Sequence, residues 1–114
     1  MSISQSPREA HAGASGGTYH FRLFIAGESP RSSRAISNLT LLCERAIPDA
    51  HKIEVIDVLE RPDLAEAASV LATPMVMRMQ PLPQRRAVGD FNDLPRLAAA
   101  IDLHVPDSRD ETAP

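Results

Sequence analysis

The chain has 114 residues, of which 43% are hydrophobic and 24% charged, and a formal net charge of −3. That length holds one domain rather than two, because domains run to roughly 100–150 residues. The near-neutral balance excludes a long-range field for a polyphosphate backbone, and no apolar run approaches the roughly 20 residues that cross a bilayer. A single cysteine excludes an internal disulfide and gives no support to an oxidising compartment. The expectation is a soluble, cytoplasmic chain with neither nucleic acid nor membrane as partner.

Residues 1–17 (MSISQSPREAHAGASGG) are rich in Ser and Gly, lack apolar periodicity and contain no signal-peptide core. They read as a disordered tail, and residues 106–114 as a second, shorter one, leaving one domain over 18–105. Tyr19 to Ala26 alternates, with Tyr19, Phe21, Leu23 and Ile25 on one face, and predicts a strand ending at Gly27. Ser29 and Pro30 then suit a helix start, the first as a cap and the second at the first helical position. Ile36, Leu39, Leu42, Cys43, Ala46 and Ile47 recur at spacings of three and four until Pro48 stops the helix. Lys52 to Leu59 reads as a second strand, apolar on both faces as an interior strand would be. Strand, helix, strand over residues 19–59 is a βαβ unit with parallel strands and a right-handed crossover.

Pro62 opens a short helix over Asp63 to Val70, with Asp63 and Glu66 near the positive end of its dipole. Leu71-Ala72-Thr73-Pro74 leads into an apolar strand, Met75 to Met79. Gln80-Pro81-Leu82-Pro83 breaks the pattern, and Gln84 to Val88 is a brief strand closed by Gly89-Asp90. Asn92 or Asp93 caps a last helix with Pro95 in its first turn and Leu97, Ala98, Ile101 and Val105 on its inner face. The order β-α-β-α-β-β-α, parallel first and antiparallel last with helices on both faces, gives an α/β thioredoxin-like sandwich. Pro74, directly after Thr73, stands where that fold places a cis proline.

A redox protein of that fold needs a thiolate at the start of the first helix, where dipole and amides lower its pKa. That corner reads Gly27-Glu28-Ser29-Pro30-Arg31-Ser32-Ser33 and holds no cysteine. Cys43 lies on the apolar stripe further along and reads as a small buried hydrophobe. Dithiol chemistry is thereby excluded. A serine corner would suit a glutathione transferase, which also needs a helical second domain for its electrophile. His11, His20, His51 and His104 have no metal-ligand spacing with one another or with Cys43. His104 reads as a partner for the dipole at the end of the last helix. Glu60, Asp63 and Glu66 read as capping charges on a solvated face. Arg78, Arg85 and Arg86 form the only basic concentration, without the interleaved aromatic residues of a stacking platform. No Gly-rich phosphate loop is present, so the chain is not expected to be a nucleotide-binding ATPase itself, and with the readings above the expectation is a protein with no catalytic residues, no cofactor and no bound metal.

Four blocks match something more specific. They are Phe24-Ile25-Ala26-Gly27 with Ser29-Pro30-Arg31-Ser32-Ser33-Arg34-Ala35; Val55-Ile56-Asp57-Val58-Leu59 with Pro62 and Leu64-Ala65-Glu66; Val70-Leu71-Ala72-Thr73-Pro74; and Pro81-Leu82-Pro83-Gln84-Arg85-Arg86 ahead of Gly89-Asp90. In order and at this spacing, over about residues 19–105, they resemble the KaiB family of circadian clock proteins. The resemblance implies a non-enzymatic regulator that docks on a KaiC-like ring ATPase. Further implied partners are a KaiA-like protein or a histidine kinase, with self-association as a dimer or tetramer. It also implies metamorphism between the thioredoxin-like fold and a ground-state fold ordered β-α-β-β-α-α-β, with Pro74, Pro81 and Pro83 at the fold-switch positions. The implied partner-binding residues are Arg34, Asp57, Glu60, Asp63, Arg85 and Arg86. The alternative reading is a stand-alone thioredoxin-like interaction module for a signalling kinase, without redox activity; a neighbouring gene for a KaiC-like ATPase separates the two.

The chain departs from the cyanobacterial pattern at Leu97-Ala98-Ala99-Ala100-Ile101-Asp102, where the resemblance implies β-formers and a glycine near Ala100. Alanine in place of glycine inside a helix gains about 1 kcal/mol, and in place of valine about half that. This expectation favours the thioredoxin-like state, although Leu103-His104-Val105 also suits a strand.

Overall fold

A computed structural model describes residues 18–105; the segments read as tails, 1–17 and 106–114, lie outside the described residues. Seven elements follow one another: β1 (Tyr19–Ile25), α1 (Pro30–Ala46), β2 (His51–Asp57), α2 (Pro62–Ala67), β3 (Met75–Gln80), β4 (Arg85–Val88) and α3 (Leu94–Ala100). One sheet holds the strands in the order β2-β1-β3-β4. β1 pairs β2 in parallel, while β3 runs antiparallel to both β1 and β4.

The alternation of β1 divides the core between the two sheet faces. Phe21, Leu23 and Ile25 pack on one side against Ala35, Leu39, Leu42 and Cys43 of α1 and Leu97, Ala98 and Ile101 at α3. Phe24 points to the other side, where Ile56, Met75 and Met77 join it under Leu64 and Ala68 at α2. Fully burying one such side chain contributes about 1.5–3 kcal/mol. The flexible methionines fill the gap that a six-residue helix leaves uncovered. Ser29 caps α1 by accepting the Ser32 N–H at 3.0 Å, with Pro30 at the first helical position. Asp93 does the same for α3, accepting the Arg96 N–H at 3.1 Å.

Two boundaries and one place in the sheet differ from the pattern. β2 ends at Asp57, two residues early, because the Asp57 carboxylate accepts the Leu59 N–H at 2.9 Å and its carbonyl takes the Glu60 and Arg61 amides. α2 stops at Ala67, and Ser69 follows in the left-handed region at φ 55°. β2 is also an edge strand rather than an interior one; it is apolar on both faces because each helical layer reaches it. The peptide bonds before Pro74, Pro81 and Pro83 are cis, the first where the sequence placed it. The alanine-rich segment is helical through Ala100, after which Ile101 and Leu103 return to the core.

Candidate functional site

The topology gathers four loops at one end of the sheet: those after β1, β2 and β4 and the one before β3. The corner after β1 is where a redox enzyme of this architecture would carry its thiolate. Here Ser29 Oγ donates to Ser32 Oγ at 3.1 Å, and buried Ser32 Oγ donates to the Gly27 carbonyl at 3.1 Å. Both hydroxyls are spent on holding the turn. Cys43 is fully buried on α1, and desolvation, with a smaller contribution from the charge of Glu44, pushes its thiol up to about 12. A thiol that stays protonated through the physiological range is not a nucleophile.

Gly27 takes φ +71°, a conformation glycine adopts freely, and its N–H donates to Asp57 Oδ1 at 3.0 Å. The same oxygen takes the Leu59 N–H. Asp57, read as a partner contact, is therefore a brace between the two parallel-strand loops. A Cβ at position 27 would lie 3.3 Å from Leu59 Cδ1, so the two loops are in close contact.

The other five charged candidates divide between the faces. Arg34 on α1 pairs with Asp90 after β4, Nε to Oδ2 at 3.2 Å, and Asn38 Nδ2 donates to the Asp90 carbonyl at 2.8 Å. Arg85 reaches the same side, its Nη2 4.0 Å from Asp102 Oδ2. Arg86 points to the α2 side and donates to the Ser69 carbonyl at 3.3 Å. Glu60 and Asp63 stand at the opposite end of α2, exposed, with Asp63 paired to Arg61 at 3.0 Å. The hydrogen bond from Arg61 holds the Asp63 carboxyl below its ordinary range. Glu60, Asp63 and Arg86 thus frame one short helix of about 9 Å, and Arg34 and Arg85 lie across the sheet from them. Leu59, Leu71 and Val88 are exposed at this end, at 70%, 95% and 54%. An apolar area with a charged frame is the ordinary make-up of a protein-binding surface.

Two features were not visible in the pattern. Arg78, grouped by sequence with Arg85 and Arg86, is 3% exposed and turned inward beneath α3. The basic concentration therefore does not exist in space: its three members point in three directions. Arg78 Nη1 donates to the carbonyls of Ile101 and Asp102, and Nη2 to that of Pro83. It takes the helix-terminal role read into His104, which lies exposed four residues beyond the end of α3. The second feature is an open depression of about 370 Å³ between β4 and α3, lined by Val88, Gly89, Asp90, Phe91, Arg96 and Ala100 among others. None of the six candidates lines it, and its carboxylates are engaged: Asp90 by Arg34, Asp93 by the α3 cap. Among the described residues, no group of three or more His, Cys, Asp or Glu could hold a metal ion, and no helix is long and apolar enough to cross a membrane.

Comparison with known proteins identifies relatives over the same span. Residues 22–102 match the family model described as the KaiB domain. The circadian clock oscillator protein KaiB of Prochlorococcus marinus is 41% identical over 86 residues, 75% of this chain and 72% of the relative. That of Synechococcus elongatus is 40% identical over 86 residues, 75% and 84% of the two chains. Among solved structures, the N-terminal domain of Synechococcus elongatus SasA superposes with a TM-score of 0.59 at 19% identity, covering 87% of this chain and 93% of that one. Mitochondrial thioredoxin 3 from Saccharomyces cerevisiae gives 0.60 at 22% identity over 76% and 79%. At these identities the two structures establish the thioredoxin-like fold.

Proposed function

The chain belongs to the KaiB family, and from that premise we propose that it is a non-enzymatic adaptor that docks on a KaiC-like ring ATPase in a timing or stress-response system. The observation that carries this reading is the corner after β1. It keeps the architecture that elsewhere presents a catalytic thiolate, yet fills it with serines whose hydroxyls are tied to the backbone and to each other. What this end of the molecule offers is shape: exposed Leu59, Leu71 and Val88 in a frame of Glu60, Asp63 and Arg86. We place the ring-binding surface there, with Arg34, Arg85 and Asp57 acting on it only through the packing of the loops. KaiA-like proteins and histidine kinases are the further partners this reading admits.

Fold switching belongs to the same proposal. The segment that would rearrange runs from Pro74 past Ala100, with Pro74, Pro81 and Pro83 as its fold-switch positions. The alanines at 98–100 bias it towards helix by about 1–2 kcal/mol, comparable to the few kcal/mol that separate two folds of one sequence. The thioredoxin-like state is expected to dominate in dilute solution. NMR checks this directly: a dominant tetramer with residues 97–104 in a strand overturns it.

The test of the main reading is capture of a purified KaiC-like ATPase by this protein with and without ATP. Nucleotide-dependent capture is the expected result, and absence of capture under both conditions overturns it.

A further inference from the structure

β4 forms one edge of the sheet, and a single bond fixes which of its backbone groups face outward. Gly89 N–H donates to the Pro74 carbonyl at 2.9 Å, one step beyond the pair of Met75 and Val88. Bonded and non-bonded pairs alternate along an antiparallel ladder, so Arg85 and Ala87 turn their backbone groups towards β3. Those of Arg86 and Val88 face outward, and among the described residues they have no partner. The depression of about 370 Å³ lies along this edge, with Ala87 and Val88 on one side and Arg96, Leu97 and Ala100 of α3 on the other. Its carboxylates are engaged within the chain, Asp90 by Arg34 and Asp93 by the α3 cap. The cations are not. Arg86 spends only Nη1, on the Ser69 carbonyl at 3.3 Å and the Met75 thioether at 3.8 Å. Arg85 has one long contact, 4.0 Å to Asp102, and the exposed Arg96 side chain has no ion pair among the described residues.

We propose that β4 takes up an extended segment of a partner protein as a fifth, antiparallel strand, and that this segment carries two apolar residues followed by two acidic ones. Its main chain bonds to the outward groups of Arg86 and Val88, which supplies affinity, while the side chains choose the partner. The acidic pair then stands opposite Arg86 and Arg85, and the apolar pair opposite Val88 and Ala87. Alternation sends Arg86 and Val88 to the α2 side and Arg85 and Ala87 to the α3 side. The second apolar residue, opposite Ala87, therefore enters the depression beside Leu97 and Ala100. A carboxylate just ahead of the apolar pair lies on the same side, towards Arg96. Charge selects against a second copy of the chain as occupant, because two β4 strands side by side would gather four arginines on one ribbon. The proposal does not rest on the ring reading: the depression and Arg96 lie on the α3 side, away from Glu60 and Asp63.

The test is titration of the isotope-labelled full chain with a synthetic peptide, acetyl-Thr-Glu-Val-Val-Glu-Glu-Thr-amide, followed by amide chemical shifts at low salt. Saturable shifts centred on Arg86, Val88 and residues 96–100 are expected. The same peptide with lysine at every glutamate is expected not to bind. Proline at the position opposite Arg86 removes a donor from the ladder and is expected to cost at least about tenfold. Arg86→Glu should weaken the parent peptide about fivefold, and a peptide with lysine at the opposing position should recover the loss. Arg96→Glu, at an exposed site on α3, weakens binding in the same direction should Arg86→Glu fail to fold. Asp63→Lys, within the surface assigned to the ring, leaves the peptide affinity unchanged, so the two readings fail separately. Absence of shifts at Arg86 and Val88 up to millimolar peptide overturns the proposal. So does equal binding of the lysine peptide, of the proline peptide or of one with the order Glu-Glu-Val-Val, since the contact then lacks the charge, the ladder or the direction proposed.

Discussion

Arg78 Nη1, in the middle of β3, lies 2.9 Å from the carbonyl oxygen of Ile101, where the chain leaves α3. With the bonds to Asp102 and Pro83, one buried guanidinium ties β3 to the end of α3 and to the loop before β4. Its positive charge sits against carbonyls that carry the negative end of the helix dipole, which takes the place of a carboxylate partner. Replacing Arg78 by Met keeps much of the volume but leaves those carbonyls without a donor. The loss is expected to be about 2–4 kcal/mol. Urea denaturation measures it, and amide hydrogen exchange should rise first over residues 97–103. An unchanged midpoint would show that the clamp contributes nothing.

The brace between the parallel-strand loops gives a second outcome. Asp57→Ala removes the acceptor for two amides and is expected to cost about 1–3 kcal/mol. Asp57→Asn keeps an oxygen at the same place and should cost less. Gly27→Ala is strained at φ +71° by about 1–2 kcal/mol and also presses on Leu59. In a domain of this size each kcal/mol lowers the melting temperature by about 4–8 °C, so thermal unfolding ranks the three variants.

The buried thiol of Cys43 gives a third. With its pKa pushed up to about 12, it should resist iodoacetamide at pH 8 for as long as the protein is folded, and react at the ordinary rate in denaturant. Rapid alkylation of the native protein would mean that α1 opens locally, or that Cys43 is not where the core places it.

How much of this was legible in the residues depends on the kind of signal. The alternation of β1, the stripe of α1 and the caps at Ser29 and at Asn92 or Asp93 are local patterns; the structure holds each within a residue of its expected place and takes Asp93 of the two caps. The end of β2 was harder to read, because apolar Val58 and Leu59 continue the strand pattern past the turn that Asp57 makes with Leu59, Glu60 and Arg61, and the bond from Asp57 to Gly27, 30 residues away, has no local signal. Arg78 was misgrouped for a related reason. Nothing adjacent to it distinguishes a buried arginine from an exposed one, and the carbonyls that satisfy it arrive from residues 83, 101 and 102. The one available hint was its place inside Met75-Val76-Met77-Arg78-Met79, an otherwise apolar strand in which a charge needs a partner. Of the six candidate contacts, the alternation of a strand did anticipate that Arg85 and Arg86 oppose one another. It could not show that Arg34 is taken up by Asp90.

Glu54 supplies a pH-dependent term on the α2 face. Burial raises its pKa, but the hydrogen bond and charge of Arg22, with His20 3.4 Å away, outweigh this and hold it below the ordinary 4.5. A depressed folded-state value contributes stability that is complete above the unfolded pKa and is lost as pH falls through the folded one. The acid limb of a stability profile, from about pH 4.5 downwards, should therefore be shallower in Glu54→Gln than in the parent. Glu54 is 40% exposed, so solvent screening keeps the difference well under about 1 kcal/mol. Parallel curves over that acid limb would show that the pair is worth nothing.

The two adjacent arginines separate the proposed docking surface from the rest of the molecule. Arg86 lies on the α2 side beside Ser69, framing exposed Leu71 and Val88, whereas Arg85 lies across the sheet near Asp102. Both are exposed, and the contact of Arg86 Nη1 with the thioether of buried Met75, at 3.8 Å, is a weak one, so Glu at either position should leave the fold intact. If the ring ATPase docks against α2, Arg86→Glu is expected to weaken binding by about 1–3 kcal/mol, roughly fivefold to 150-fold. Arg85→Glu should stay within about a factor of two, as a charge outside the contact affects mainly the long-range attraction. Titration of each variant against the ring by fluorescence anisotropy reads both numbers. The reverse pattern would move the docking surface to the α1 and α3 side, where Arg34 and Asp90 would become its centre.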